Sequence, residues 1–230
     1  MLQGILLLDK PAGWTSFDVV NYVRRIVAER ENKRPKNVKV GHIGTLDPFA
    51  TGLLVLLIGK EYTRQAGQFS KADKSYEVTM RLGQISSTGD IEGELTRCSD
   101  VVPSKNQIEQ SLGGFRGEIS QVPPAYSAIK VAGVRSYKLA RAGKEVILAP
   151  RKVTITDLKL ESFDYPLIKF TADVSSGTYI RSLVSDIGES LGTGAYTESL
   201  RRTRINGWDV CRAVPPKHLN TDNIEQYIYI

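Results

Sequence analysis

Between residues 41 and 59 the chain reads GHIGTLDPFATG and then, with no spacer, LLVLLIG. Glycine, threonine, aspartate and proline favour an irregular, hydrogen-bonded loop, whereas six consecutive large aliphatic residues belong inside a core. A loop joined directly to a buried segment is held rigidly, and rigid loops often carry a protein's chemistry. Pro48 restricts Asp47 to extended backbone angles, which fixes the direction of its carboxylate. The apolar run Leu53–Ile58 is far shorter than the roughly 18 to 20 residues a bilayer span needs. The N-terminal GILLL run meets Asp9 and Lys10 too soon for a signal-peptide core. A cytoplasmic chain is expected.

Around that loop the periodicity predicts a buried strand over 4–8 and a helix over 17–30, capped by Ser16, with Val19, Val20, Val23, Ile26 and Val27 on one face. The following ERENKRPKNVK run reads as a solvated loop, with an RNA phosphate contact as the competing reading. Further strands are expected over 75–83, 151–163 and 167–174, and helices over 104–112 and 136–142. SAIKVAGVRS reads as a hairpin with Ala132 and Gly133 near its tip. GTYIRSLVSDIGESLG predicts a helix capped by Thr178, with Arg181 just inside it. After Pro215-Pro216 there is room for one short helix. Strands and helices without strict alternation indicate an α+β domain with a mixed or largely antiparallel sheet.

Composition excludes more than it identifies. Two cysteines, Cys98 and Cys211, and two histidines, His42 and His218, cannot assemble a structural zinc site, so no metal is expected. The glycines of the 41–59 segment fit neither a Walker A loop nor GxGxxG, which removes the nucleotide-binding readings. With 31 Lys+Arg against 25 Asp+Glu the net charge is +6, a modest attraction to polyanions.

Five blocks carry a resemblance: DKPAGWTS at 9–16, GHIGTLDPFATGLL at 41–54, KSYEVTMRLG at 74–83, VPPAYSAIKVAGVRSYKLAR at 122–141 and SSGTYIRSLVSDIGESLGTGAY at 175–196. Together, and in this order, they resemble the TruB-type tRNA pseudouridine synthases. The resemblance implies a catalytic domain over 1–212 in the pseudouridine synthase fold, with a central mixed, largely antiparallel sheet, flanking helices and an RNA-binding cleft. Residues 213–230 form a short tail where many family members carry a PUA RNA-binding domain.

Carried over residue by residue, the resemblance makes Asp47 the catalytic aspartate, Tyr76 the tyrosine that stacks on the target base and Arg181 the arginine that pairs with the aspartate. Leu200 lines the pocket, His42 takes the place of the flipped-out base, and Tyr179 lines the same pocket. The implied reaction isomerises a T-loop uridine of tRNA to pseudouridine without a cofactor. The implied partner is the tRNA T-arm, with no guide RNA and no membrane, and the chain is expected to act as a monomer. Three routes for Asp47 stay open: addition to the uracil ring, capture of the sugar at C1′, or removal of a sugar proton. Arg201, Arg202, Arg204, Lys138, Arg141 and Lys144 are the basic residues expected along the RNA backbone. The reading from another class is a non-catalytic RNA-binding module.

Overall fold

The computed structural model describes residues 1–69 and 71–230. In chain order the elements are β1 Gly4–Lys10, α1 Ser16–Arg30, β2 Val40–Ile43, β3 Thr51–Ile58, α2 Lys60–Arg64, α3 Ala66–Phe69, β4 Lys74–Leu82, β5 Gln84–Ser86 and β6 Leu95–Arg97. They continue with α4 Lys105–Gly114, β7 Gly117–Gln121, β8 Lys130–Val131, β9 Val134–Arg135, α5 Ser136–Arg141, β10 Arg151–Asp164 and β11 Leu167–Val174. The last are α6 Ile180–Ser190, β12 Ala195–Ile205, β13 Trp208–Asp209 and β14 Ile228–Tyr229. Two compact units result: Met1–Tyr76 with Leu200–Ile230, and Glu77–Ser199.

In the first unit β3 explains the apolar run. Its residues alternate between two cores, as strand side chains must. Leu54, Leu56 and Ile58 join Leu6, Leu8 and the Val19, Val23 and Val27 face of α1, while Leu53, Val55 and Leu57 join Leu7, Ile43 and Ile205. Every residue from Leu53 to Ile58 is fully buried, so no polar position interrupts the run. β3 pairs antiparallel with β1 and β2 and parallel with β12, through Thr51–Arg201 and Gly52–Arg202. Gly52 is required at that meeting: its φ is +98°, and a Cβ there would fall 2.2 Å from the Arg202 carbonyl oxygen.

The second unit places strands in the order β12-β4-β11-β10-β7, with β10 antiparallel to both neighbours. Buried Ile180, Leu183, Val184 and Ile187 form the inner face of α6, and Ile108 and Leu112 that of α4. The mixed sheet and flanking helices are those expected from the sequence, and the hairpin tip carries Ala132 and Gly133 at positive φ. Among the described residues no helix is long and apolar enough to cross a membrane.

Several local expectations change. Helix α1 begins at Ser16, and its cap is Thr15, which forms a reciprocal capping box with Asp18. The Ser16 hydroxyl is engaged elsewhere: it accepts from the Leu46 N–H at 2.8 Å and donates to the Leu46 carbonyl at 3.0 Å. Thr178 likewise does not cap α6. Its hydroxyl donates to Ser175, and Tyr179 occupies the cap position. The loop at 41–52 is shorter than expected, because Val40–Ile43 is already strand. The segment containing ESLRR is strand β12, and beyond Pro216 lie two 3-10 turns and β14 rather than one helix.

Candidate active site

The Asp47 segment is braced from several directions within the first unit. Besides Ser16 beneath Leu46, Pro48 offers its carbonyl to the Gly13 N–H at 2.9 Å and to the Lys10 ammonium at 3.2 Å. Lys10 is fully buried and also donates to the carbonyls of Pro11 and Trp14. The Ala50 N–H closes the turn onto the Asp47 carbonyl. Carbonyls that would otherwise be orphaned in a buried loop are thus satisfied by two polar side chains and the neighbouring backbone.

Behind the loop lies Arg202, 1% exposed. Its guanidinium donates to the carbonyls of Leu53 and Gly44, each at 2.8 Å, and to Thr45 at 3.5 Å. The Tyr76 side chain and the Asp47 carboxylate both lie near enough to act electrostatically on the same group. Burial pushes the Arg202 pKa down, and Tyr76 and Asp47 oppose that shift. One buried cation therefore holds the backbone at both ends of the loop and interacts electrostatically with two of the expected functional side chains. Arg202 is not available to the RNA backbone, and that assignment is corrected. Arg201 also has a protein partner, a bidentate pair with Asp9 at 3.0 and 2.7 Å.

Leu200, 7% exposed, lies two residues before Arg202 on β12 and so on the same face. Tyr76, also 7% exposed, ends the first unit's share of β4. His42 is half-buried on β2, opposite Leu56. Lys74 approaches Gly44 closely enough that a Cβ there would meet its Cε at 3.3 Å. Burial and then the charge of Arg202 push the Lys74 ammonium down to about 8, with Asp73 opposing.

The second unit holds the other two expected residues. Arg181, 5% exposed, donates to the carbonyls of Thr88 and Tyr126 at 2.8 and 2.7 Å and lies 3.3 Å from the Asp90 carboxylate, itself buried. Tyr179 is locked through its backbone: Gln121, with no exposure, accepts from its N–H at 2.8 Å and donates to its carbonyl at 3.2 Å. Sequence reading missed Arg202, Lys74, Asp90 and Gln121. For Arg202 a signal existed, because strand alternation through Leu200 puts residue 202 inside. Asp90 and Gln121 lie in segments whose patterns carry no such mark.

Residues 30–180 match the model of the TruB family pseudouridylate synthase N-terminal domain. The chain is 44% identical over 227 residues to the tRNA pseudouridine synthase B of Clostridium acetobutylicum, covering 99% of this chain and 75% of that one. With the Protochlamydia amoebophila protein of the same name the identity is 40%, over 98% and 83% of the two chains. The fold matches a chain in the crystal structure of a Cbf5-Nop10-Gar1 complex at a TM-score of 0.68 and 28% identity, covering 97% of this chain and 54% of that one. It also matches an H/ACA RNP bound to a substrate RNA containing 2′-deoxyuridine, at a TM-score of 0.65 and 27% identity over 53% of that chain. This chain thus spans about half the length of those solved chains and three quarters or more of the two bacterial relatives. By family model and by identity over nearly its whole length, the chain belongs to the TruB family of pseudouridylate synthases.

Proposed function

We propose that this chain isomerises a T-loop uridine of tRNA to pseudouridine, with Asp47 as the catalytic carboxylate. The observation that carries the assignment of residues is the loop bearing Asp47, braced by Ser16, Lys10 and Arg202, with the Tyr76 side chain near the same guanidinium. A carboxylate on so fixed a backbone does not have to be reoriented when a substrate arrives. The C1′–N1 bond breaks, the uracil turns, a C1′–C5 bond forms, and the C5 proton is lost as N1 gains one. Nothing else is consumed, so no cofactor is called for.

A stacked uridine must first leave its loop, and an aromatic ring is the surface that receives an extruded base. Tyr76 is assigned that role. Arg181 is assigned as the cation for Asp47, with Tyr179, Leu200 and His42 lining the site. Residues 1–212 form the catalytic domain in this reading, and the chain works as a cytoplasmic monomer on the T-arm without guide RNA. The names of the bacterial relatives support the tRNA substrate.

The test is incubation of the purified chain, without cofactor, with an unmodified tRNA transcript, followed by carbodiimide and primer-extension mapping. Pseudouridine at the T-loop uridine, lost in Asp47→Ala, is the expected result. Binding of the tRNA by both proteins with product from neither would leave an RNA-binding module as the better account.

A further inference from the structure

Helix α1, the 3-10 turn at Pro35–Asn37 and the start of β2 enclose a pocket of about 490 Å³. Its lining includes four cations, Arg24, Arg25, Lys36 and Lys39, and no acid. Among the described residues none of these four takes part in an ion pair. The pairs of this region lie outside the pocket, Lys33 with Glu31 and Arg30 with Glu225. Four positive charges around one concavity repel each other, and a concave wall focuses their field on whatever enters it. Buried Val38 and Val40 supply the apolar floor.

Two further features say what kind of anion fits. Arg24 is pinned: it donates to Asn21 at 2.6 Å and to the Val40 carbonyl at 3.4 Å, and its guanidinium lies 5.8 Å from the centre of the Phe17 ring. Phe17 is 60% exposed, and its neighbour Ser16 is the residue bonded to Leu46 beside Asp47. Positions 17, 21 and 24 share one helical face. That face leads from the Asp47 loop to the pocket over about 10 Å, at 1.5 Å per residue. An exposed aromatic followed by a basic groove is the pattern that binds a nucleic acid strand, a ring for a base and cations for the phosphates. A small free anion would instead favour the N-terminus of α1, which the Asp18 carboxylate already occupies.

We propose that this face is a second anchoring track for the RNA substrate, with Phe17 stacking on a base and the pocket taking backbone phosphates at a distance from the target uridine. The inference rests on the proposed tRNA substrate and adds a place where that substrate is held.

The test measures equilibrium binding of an unmodified tRNA transcript over a range of KCl concentrations. The proteins compared are the native chain, R25Q/K36Q/K39Q, Phe17→Ala, and K105Q/K159Q/K169Q, which loses the same charge at exposed sites elsewhere. Arg24 is left in place because it bonds to β2. Each phosphate contact contributes roughly 0.7 to 0.9 to the slope of log K against log salt. The pocket variant is expected to lose about 2 from that slope and to bind roughly tenfold more weakly at low salt. Phe17→Ala is expected to weaken binding about tenfold with the slope unchanged. A native slope in the pocket variant, or equal losses in the two triple variants, overturns the proposal. Binding is read without turnover, so a chain that forms no pseudouridine but shows the pocket-dependent slope would refute the activity alone. An active chain with a pocket-independent slope would refute the track alone.

Discussion

The Nη2 of Arg202 donates to the carbonyl oxygen of Gly44 at 2.8 Å, tying a strand in the last seventh of the chain to the start of the loop that carries Asp47. With Nε on Leu53, the same side chain spans the loop from one end to the other. Replacing it with methionine removes a donor from the buried Leu53 carbonyl and another from the part-buried Gly44 carbonyl, each loss costing about 1 to 3 kcal/mol. Arg202→Met should therefore lose about 3 kcal/mol in urea unfolding and most pseudouridine formation. Arg202→Lys should recover only part of either, because an ammonium cannot reproduce the planar fork. A loss below about 1 kcal/mol would show that the loop stands without its brace.

Gly52→Ala tests the parallel join of β3 and β12. The added methyl would meet backbone, 2.2 Å from the Arg202 carbonyl oxygen, which no side-chain rotation relieves. A loss of at least about 3 kcal/mol is expected, through strain and a displaced strand. Gly13→Ala is the control: φ is +79° there too, but a Cβ meets nothing within 4 Å. It should cost about 1 kcal/mol, the backbone term alone. Thermal unfolding of the two variants separates collision from conformation.

Lys74 gives the fold a pH dependence of definite sign. Its folded pKa is about 8 against an ordinary 10.5, so the unfolded chain binds more protons between those values and stability rises with pH across that window. Below pH 8 the full cost of the buried ammonium is present, at most about 3 kcal/mol. Urea midpoints measured from pH 7 to 10 should climb for the native chain more steeply than for Lys74→Met. Parallel curves would mean that the lysine is not desolvated as the structure has it.

Asp90 should matter in the second unit although nothing in the sequence marks it. It lies 3.3 Å from Arg181, accepts from Thr88 Oγ1 at 2.6 Å and caps the Glu92 N–H at 3.0 Å. Asp90→Ala removes the charge and the local bonds together and should cost about 3 to 5 kcal/mol. Asp90→Asn keeps an acceptor for Thr88 and Glu92 and removes only the charge. If Asp90 positions Arg181 for the reaction, the asparagine variant should lower kcat more than it raises KM for tRNA. Equal effects on stability and none on kcat would leave Asp90 a purely structural residue.

What could be read from the sequence follows the reach of each signal. The strand, helix and hairpin patterns depend on residues a few positions apart, and β1, α1, β10, β11 and α6 appear where periodicity put them. The Asp47 loop was legible because proline, glycine and an adjoining apolar run constrain it locally. Arg202 was missed: within ESLRRTR it looks like one more basic residue, and alternation from Leu200 places it inside only once the segment is known to be strand β12, paired with β3. The caps at Thr15 and Tyr179 were misplaced because Ser16 and Thr178 have the right chemistry, and the choice was made by bonds to Leu46 and Ser175.

Ile5 and Leu6 pair with Tyr229 and Ile228, so that stretch of the outer edge of β1 is covered by β14, while Val214 bonds Leu7 and Asp9 beyond it. Losing β14 would uncover the backbone at Ile5 and Leu6 on a strand that runs through the core. Such an edge is a template for strands from neighbouring molecules. A substitution that breaks β14, such as Ile228→Pro, would then show itself first as aggregation, before any loss of the Asp47 loop.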